Sequence, residues 1–291
     1  MLAACGGSSA KTAPTVAAAK PVTAFDRILP LLPEGAQVVV EVDLARLRAN
    51  TVVGPVVTRA LARLSGDSHL PGLPFAVMGS PLAAADGFVI AAYGIGTDSV
   101  ASVTVLATHG EVPGGVRLAP DLVAIGPDAW VSQLEARAAI AEHSPLAAPA
   151  ELLALRAQAA PPGIEGAALR VSARLPFDAR VAFARDTGLP TAPARLAIWA
   201  DVADDLAFVI DADAADPGDR GGKDTALHFA QMLRGVLRSL ADDPIVRALG
   251  VPNSLADARL IVKGTWVKAI VAIGPDHLAR AVRRASELLG S

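Results

Sequence analysis

Hydrophobic and polar positions change their period several times along this chain, and each change marks an element. Phe25–Leu32 reads as a short helix closed by Pro33. In Val38–Asp43 the residues Val38, Val40 and Val42 alternate with Val39, Glu41 and Asp43, a period of two carried by β-branched residues that predicts a strand. From Leu44 the spacing lengthens to that of a helix, through Leu44, Leu47, Val56, Val57, Ala60, Leu61 and Leu64, and Gly54-Pro55 is expected to kink or restart it. Ser65–Ala85 is rich in Pro, Gly and Ser and reads as a loop. Two strands follow, Gly87–Gly96 and Ser99–Gly110, with Thr97-Asp98 as their turn, and Val116–Gly126 supplies one or two more. The segment 127–143 is then a helix with Val131, Leu134, Ala138 and Ala141 on one face.

The second half follows the same plan. Glu165-Gly166-Ala167 matches Glu34-Gly35-Ala36 and opens a strand that ends at Leu175. A helix, Phe177–Arg185, precedes a hairpin of Ala194–Val202 and Asp205–Ala214 turning at Ala203-Asp204. The closing strands lie in ADARLIVKG and TWVKAIVAIG, before a final helix with Leu278, Val282, Ala285 and Leu289 on its apolar face. Two helices, Asp224–Leu240 and Pro244–Leu249, are inserted before this last hairpin. The hexapeptide VAIGPD stands at the same joint in each half, as Val123–Asp128 and Val271–Asp276. Its residues end a strand, turn at Gly-Pro, and place a carboxylate in the first turn of a helix, where it complements the dipole.

The expected fold class is therefore α+β: two diverged copies of a strand–helix–hairpin–hairpin–helix unit, with helices packed on mostly antiparallel sheet. Its parts are a tether over 1–24, a first repeat over 25–143, a Pro-bracketed helical linker over 144–164, and a second repeat over 165–291. Whether the halves share one sheet or pack as two is open at this level.

Composition narrows the function classes. Hydrophobic residues make up 52% of the 291 and charged residues 19%, enough for a substantial core. Only 4% are aromatic and the net charge is −3, so the stacking platforms and basic clusters of nucleic-acid binders are lacking. No apolar run approaches the roughly 20 residues of a membrane-spanning helix. The single cysteine, Cys5, cannot form an internal disulfide.

Leu2-Ala3-Ala4-Cys5, followed by Gly6-Gly7-Ser8-Ser9, resembles the lipobox and flexible tether of a bacterial lipoprotein. The resemblance implies cleavage before Cys5 and acylation there, giving a multiply acylated anchor of the kind that holds stably. The charged n-region and apolar h-region of a lipoprotein leader do not precede the box in this sequence, and an upstream in-frame segment is expected to encode them. Gly6 after the cysteine, rather than Asp, implies the outer membrane under the enterobacterial sorting rule. The opening Leu32-Pro33-Glu34-Gly35-Ala36 through Asp43-Leu44-Ala45-Arg46-Leu47-Arg48 is similar to those of uncharacterised envelope lipoproteins of GC-rich bacteria such as myxobacteria. That similarity implies a cell-envelope location, facing the periplasm or the cell surface, and no particular activity.

Candidate chemistry is sparse. Asp216–Thr225 sits between a strand and a helix, as a phosphate-binding loop would, but Asp224 replaces the Ser or Thr that ligates Mg²⁺ and Pro217 replaces the first glycine. The acidic run Asp201, Asp204, Asp205, Asp211, Asp213, Asp216 and Asp219 lacks the glycine and glutamate of a calcium loop, and Asp211 and Asp213 read as outward-facing strand positions. His69, His109, His143, His228 and His277 form no paired metal-ligand spacing. Gly94-Ile95-Gly96 lacks the helix of a dinucleotide fingerprint, and no nucleophile elbow occurs. Trp130, Trp199 and Trp266 read as core anchors.

These readings expect a non-enzymatic, lipid-anchored envelope protein with a binding or organising role. It uses no cofactor, metal or nucleic acid, and its partners are the membrane at Cys5 and a protein or apolar ligand. The alternatives are a periplasmic carrier of a lipid or other apolar ligand, and an enzyme whose site is assembled between the repeats.

Overall fold

The computed structural model describes residues 23–64, 79–164, 166–187, 192–215 and 222–289. Ten strands form one continuous sheet, in which every neighbouring pair is antiparallel. The first five are β1 (Val38–Asp43), β2 (Gly87–Tyr93), β3 (Ala101–Ala107), β4 (Val116–Ala119) and β5 (Leu122–Ile125). The second five are β6 (Leu169–Arg174), β7 (Arg195–Val202), β8 (Leu206–Asp213), β9 (Arg259–Lys263) and β10 (Trp266–Ile273). Their order is β4-β5-β3-β2-β1-β6-β7-β8-β10-β9. Counted outward from the β1·β6 seam, each half runs first, second, third, fifth, fourth strand. The α+β class expected from the periodicities is the class observed, and the open question resolves into one sheet joined edge to edge.

Because side chains alternate along a strand, the registers sort the sheet into two faces. One face carries Val39 and Glu41, opposite Ser172 and Arg170 across the seam. Over the first half this face is covered by α1 (Ala24–Ile28), the 3-10 turn Leu29–Leu31 and α5 (Asp128–Ala141). Ile28, Val39, Val89, Val105 and Leu134 are each at most 1% exposed there. The other face receives α2 (Leu44–Ala49), α3 (Gly54–Leu64) and α4 (Gly79–Ala84), whose Leu44, Leu61 and Leu82 meet Val42, Leu106 and Val123. Helix α8 (Gly222–Ala241) continues that layer over the second half, with Phe229 and Ala226 against Ala212 and Val267.

Two segments depart from their expected structure. The predicted loop Ser65–Ala85 includes α4, a six-residue helix too short to display a helical period, held by buried Leu82 and Ala85. A further short helix, α10 (Pro252–Ala256), follows α9 (Pro244–Leu249) and packs on α8. The halves also differ at their last helix. α5 lies on the first face, whereas α11 (Pro275–Leu288) packs against α9 and α3 on the other. A hydrogen bond from Arg59 of α3 to the Ser286 carbonyl, 3.2 Å, joins α11 to the first half. Arg259, Lys263 and Ala272 are consequently exposed on the first face. Among the described residues no helix is long and apolar enough to cross a membrane.

Candidate functional site

The segment between the halves folds onto the seam as α6 (Ala150–Gln158), which straps the first face. Its sequence, AELLALRAQ, consists of strong helix formers, and Leu152, Leu155 and Ala159 at three- and four-residue spacing turn toward the sheet. Leu155 and Ala159 are buried, and Ala159 packs with Ala197, Trp199 and Val209. Arg156 also points inward, which for a charged side chain requires a partner.

That partner is Glu41 of β1, only 3% exposed. The Arg156 Nε donates to both carboxylate oxygens, at 2.9 and 3.0 Å, and its Nη1 donates to Asp26 of α1 at 3.0 Å. Burial pushes the Glu41 carboxyl above its ordinary range, and the Arg156 charge only partly offsets this. Asp26 is also partly desolvated, but bonds from the Thr23 hydroxyl and amide, with Arg156, outweigh that and hold its carboxyl below its ordinary range. Burial lowers the Arg170 guanidinium, and repulsion from Arg156 adds to it. The cluster thus ties α1, β1 and α6 together.

Two cavities flank α6. The larger, about 500 Å³, opens at its N-terminus between Leu32–Gln37 of the first half, Ser172 and Arg174 of β6, and Arg137 of α5. The smaller, about 310 Å³, runs along the helix and is walled by Gln158, Arg174, Arg195 and Trp266. Glu151 and Arg174 form an ion pair that belongs to the wall of both. A third cavity, about 360 Å³, is an apolar groove between the 3-10 turn, β4 and α5, lined by Leu31, Leu118, Leu122 and Ala141. Asp26, Arg27 and Glu142 stand at its rim.

The acidic run divides differently from expectation. Asp211 and Asp213 are not outward-facing: each is 1% exposed. Their side chains lie on the first face, where Asp211 forms an ion pair with Lys268 Nζ at 3.1 Å and accepts from Gln158 Nε2 at 3.3 Å. Asp213 accepts from Arg195 Nε at 2.9 Å. Strand alternation alone could not reveal this, because a period of two puts both residues on one face without saying what covers that face. Asp201 pairs with Arg46 of α2, joining the halves.

Cys5, His69 and the Asp216–Gly221 part of the candidate phosphate loop lie outside the described residues. His109, His143, His228 and His277 are exposed on separate elements. Among the described residues no group of three or more His, Cys, Asp or Glu is placed to hold a metal ion. Gly94 and Gly96 form a left-handed turn after β2, and Gly96 abuts the backbone of α7 (Phe177–Thr187). Trp199 is 2% exposed and donates to the Gly166 carbonyl at 3.0 Å. Trp130 stacks on Tyr93, whose hydroxyl donates to the Pro33 carbonyl and whose ionisation burial suppresses. Trp266 is half-exposed, with the Arg195 guanidinium 5.2 Å over its ring, and lines a cavity.

The polar residues that line the cleft, Arg137, Ser172 and Arg174, and the Arg156 that ties down its strap carry no motif. A signal existed in β6, where Arg170, Ser172 and Arg174 put polar side chains at three alternate positions of an otherwise apolar strand.

Neither a protein family nor a curated protein matches the sequence. Among solved structures the chain is similar to crystal form I of TP0453, with 9% identity and a TM-score of 0.43 over 89% of this chain and 97% of that one. A likeness at that score carries no argument.

Proposed function

We propose that this is a non-enzymatic, lipid-anchored cell-envelope protein that binds a ligand in the cleft at the N-terminus of α6. The observation that carries the reading is the composition of that cleft's wall: both halves and the strap between them contribute to one cavity of about 500 Å³. This lies within the usual range of small-molecule sites. The Arg156–Glu41–Asp26 cluster holds the strap in place over it. Acylation at Cys5, by its lipobox-like context, tethers the site to a membrane.

The same reading makes the two halves copies of one unit. Glu34-Gly35-Ala36 and Glu165-Gly166-Ala167 are 131 residues apart, and so are Val40 and Val171, which face each other at the seam. A pseudo-two-fold axis through that pair supports duplication: Val38 faces Ala173, the counterpart of Val42, and Val42 faces Leu169, the counterpart of Val38. The cleft lies toward the Val38–Ala173 end of the seam, and neither half lines it alone.

Native mass spectrometry of the full chain, extracted from its own membranes, tests the binding role. A bound small molecule is expected, and Ala147→Trp in the cleft wall is expected to remove it. No bound mass in the unaltered protein overturns the reading. Acylation is tested separately by incorporation of alkyne-palmitate, which Cys5→Ala abolishes.

The apolar groove between α5 and β4 favours a second reading, a carrier of an apolar ligand. A bound lipid that survives Ala147→Trp but is lost in Ala141→Trp would select it.

A further inference from the structure

Three features of the cleft converge on one kind of ligand. The first is the start of α6. This nine-residue helix begins after Pro149 with no side-chain cap, so the amides of its first turn have no side chain to accept from them. Its Ala150, Glu151 and Leu152 line the cleft.

The second is Ser172. It lines the same cavity from the sheet side and is 3% exposed, yet its hydroxyl has no hydrogen-bond partner among the described residues. Buried hydroxyls are rarely left so, and each exception calls for a cause. Nothing in the packing of β6 against β1 and β7 supplies one.

The third is Arg137 of α5. Its Nε and Nη2 donate to the Pro30 carbonyl, at 3.2 and 2.8 Å, which fixes the guanidinium against the cleft wall. No carboxylate pairs with it among the described residues, and a carbonyl leaves the remaining donors of the fork available.

We propose that this cleft, whose wall includes the α6 N-terminus, Ser172 and Arg137, binds a singly charged oxyanion: a carboxylate or a phosphodiester. The proposal rests on the cleft being the ligand site, and it names the chemistry of that ligand. Helix amides and guanidinium both donate, and the serine hydroxyl donates as well, so all three match an acceptor-only group. The limit to one charge comes from the two acidic side chains of the wall. Glu151 is neutralised by Arg174, but Glu34 is exposed on the wall and disfavours a second negative charge. The apolar walls, Leu32, Leu152 and Leu155, then accommodate the uncharged remainder of the ligand.

The test is an amide-resolved NMR titration of the full chain with acetate, with dimethyl phosphate, and with dihexanoyl phosphatidylglycerol below its micelle concentration. Saturable shifts at Ala150, Glu151 and Leu152 are expected with at least one probe. Ser172→Ala and Arg137→Gln are each expected to weaken that binding about 10-fold or more, the effect of losing one charge-assisted hydrogen bond. Ser172→Ala removes an unpartnered hydroxyl and so keeps the native spectrum, which separates lost binding from lost folding. Tighter binding of the lipid than of dimethyl phosphate assigns the anion to a lipid headgroup; equal binding assigns it to a free small molecule. Absence of saturable shifts at millimolar concentrations, or shifts undiminished in both variants, overturns the proposal. If native extracts yield a neutral ligand that Ala147→Trp removes, the cleft stands and the oxyanion falls; if they yield none, both fall.

Discussion

Val40 of β1 lies directly opposite Val171 of β6, at the middle of the seam that joins five strands to five. From this pair outward, Val38 faces Ala173 and Val42 faces Leu169, so the seam is paired along both strands. Every backbone group of Val171 lies between two strands, β1 and β7.

Val171→Pro therefore removes a ladder hydrogen bond whichever neighbour receives it, and adds a ring where no strand edge exists. The expected outcome is loss of the fold, seen as loss of a cooperative urea transition and of native near-ultraviolet circular dichroism. A variant that keeps both would show that the seam is dispensable.

Arg156→Met should destabilise the protein by about 3 kcal/mol, at the low end for breaking a buried pair because Arg170 still faces Glu41. The variant leaves a nearly inaccessible carboxylate without its direct partner. Adding Glu41→Leu should restore most of the loss, since apolar replacement of a whole buried pair is often neutral. Urea midpoints of the single and double variants decide this.

The two carboxyls that share Arg156 respond oppositely to acid. Glu41 is raised from its ordinary 4.5, so the folded protein holds its proton more tightly than the unfolded chain. Its contribution to stability is greatest below that ordinary value and is lost as pH rises through the folded one. Asp26 is lowered from 3.8, so its contribution is present above that value and is lost as pH falls through the folded one. Urea midpoints followed from about pH 7 to about pH 3 should thus carry an acid-side gain that Glu41→Gln removes and an acid-side loss that Asp26→Asn removes.

Gly96 has φ +85°, and an added Cβ would stand 2.5 Å from the Ala179 amide nitrogen of α7. Gly96→Ala combines a strained backbone with displacement of a helix from the other half. A cost of about 2 kcal/mol or more is expected by thermal or urea denaturation.

Leu134 is fully buried beneath α5, in the cluster that also contains Val39, Val89 and Val105. Leu134→Ala should cost about 3 kcal/mol through transfer and cavity terms. A cost below about 1 kcal/mol would mean that α5 settles into the space.

Local periodicity made the strands visible before any coordinates. Val38–Asp43 and its counterpart in the second half alternate cleanly, and the VAIGPD segments end β5 and β10 before α5 and α11. Short elements held by contacts elsewhere were not visible. α4 and α10 have six and five residues, and packing rather than their own pattern makes them helical. The cleft was illegible for the same kind of reason. Arg137, Leu155 and Ser172 lie on α5, α6 and β6, and their lining one cavity depends on the path of the strap, not on spacing.

Asp211 and Asp213 show where the boundary falls. The sequence places them on alternate positions of a strand, and a period of two puts them on the same face. It does not say what covers that face. By itself the sequence determined the α+β class and the order of the strands and longer helices, because these follow from local period and turn chemistry. Only the tertiary structure decided that β1 would pair with β6, that α11 would leave the face α5 occupies, and that charged side chains would be buried under α6. Those outcomes depend on contacts between residues far apart in the chain, whose free energy no local pattern records.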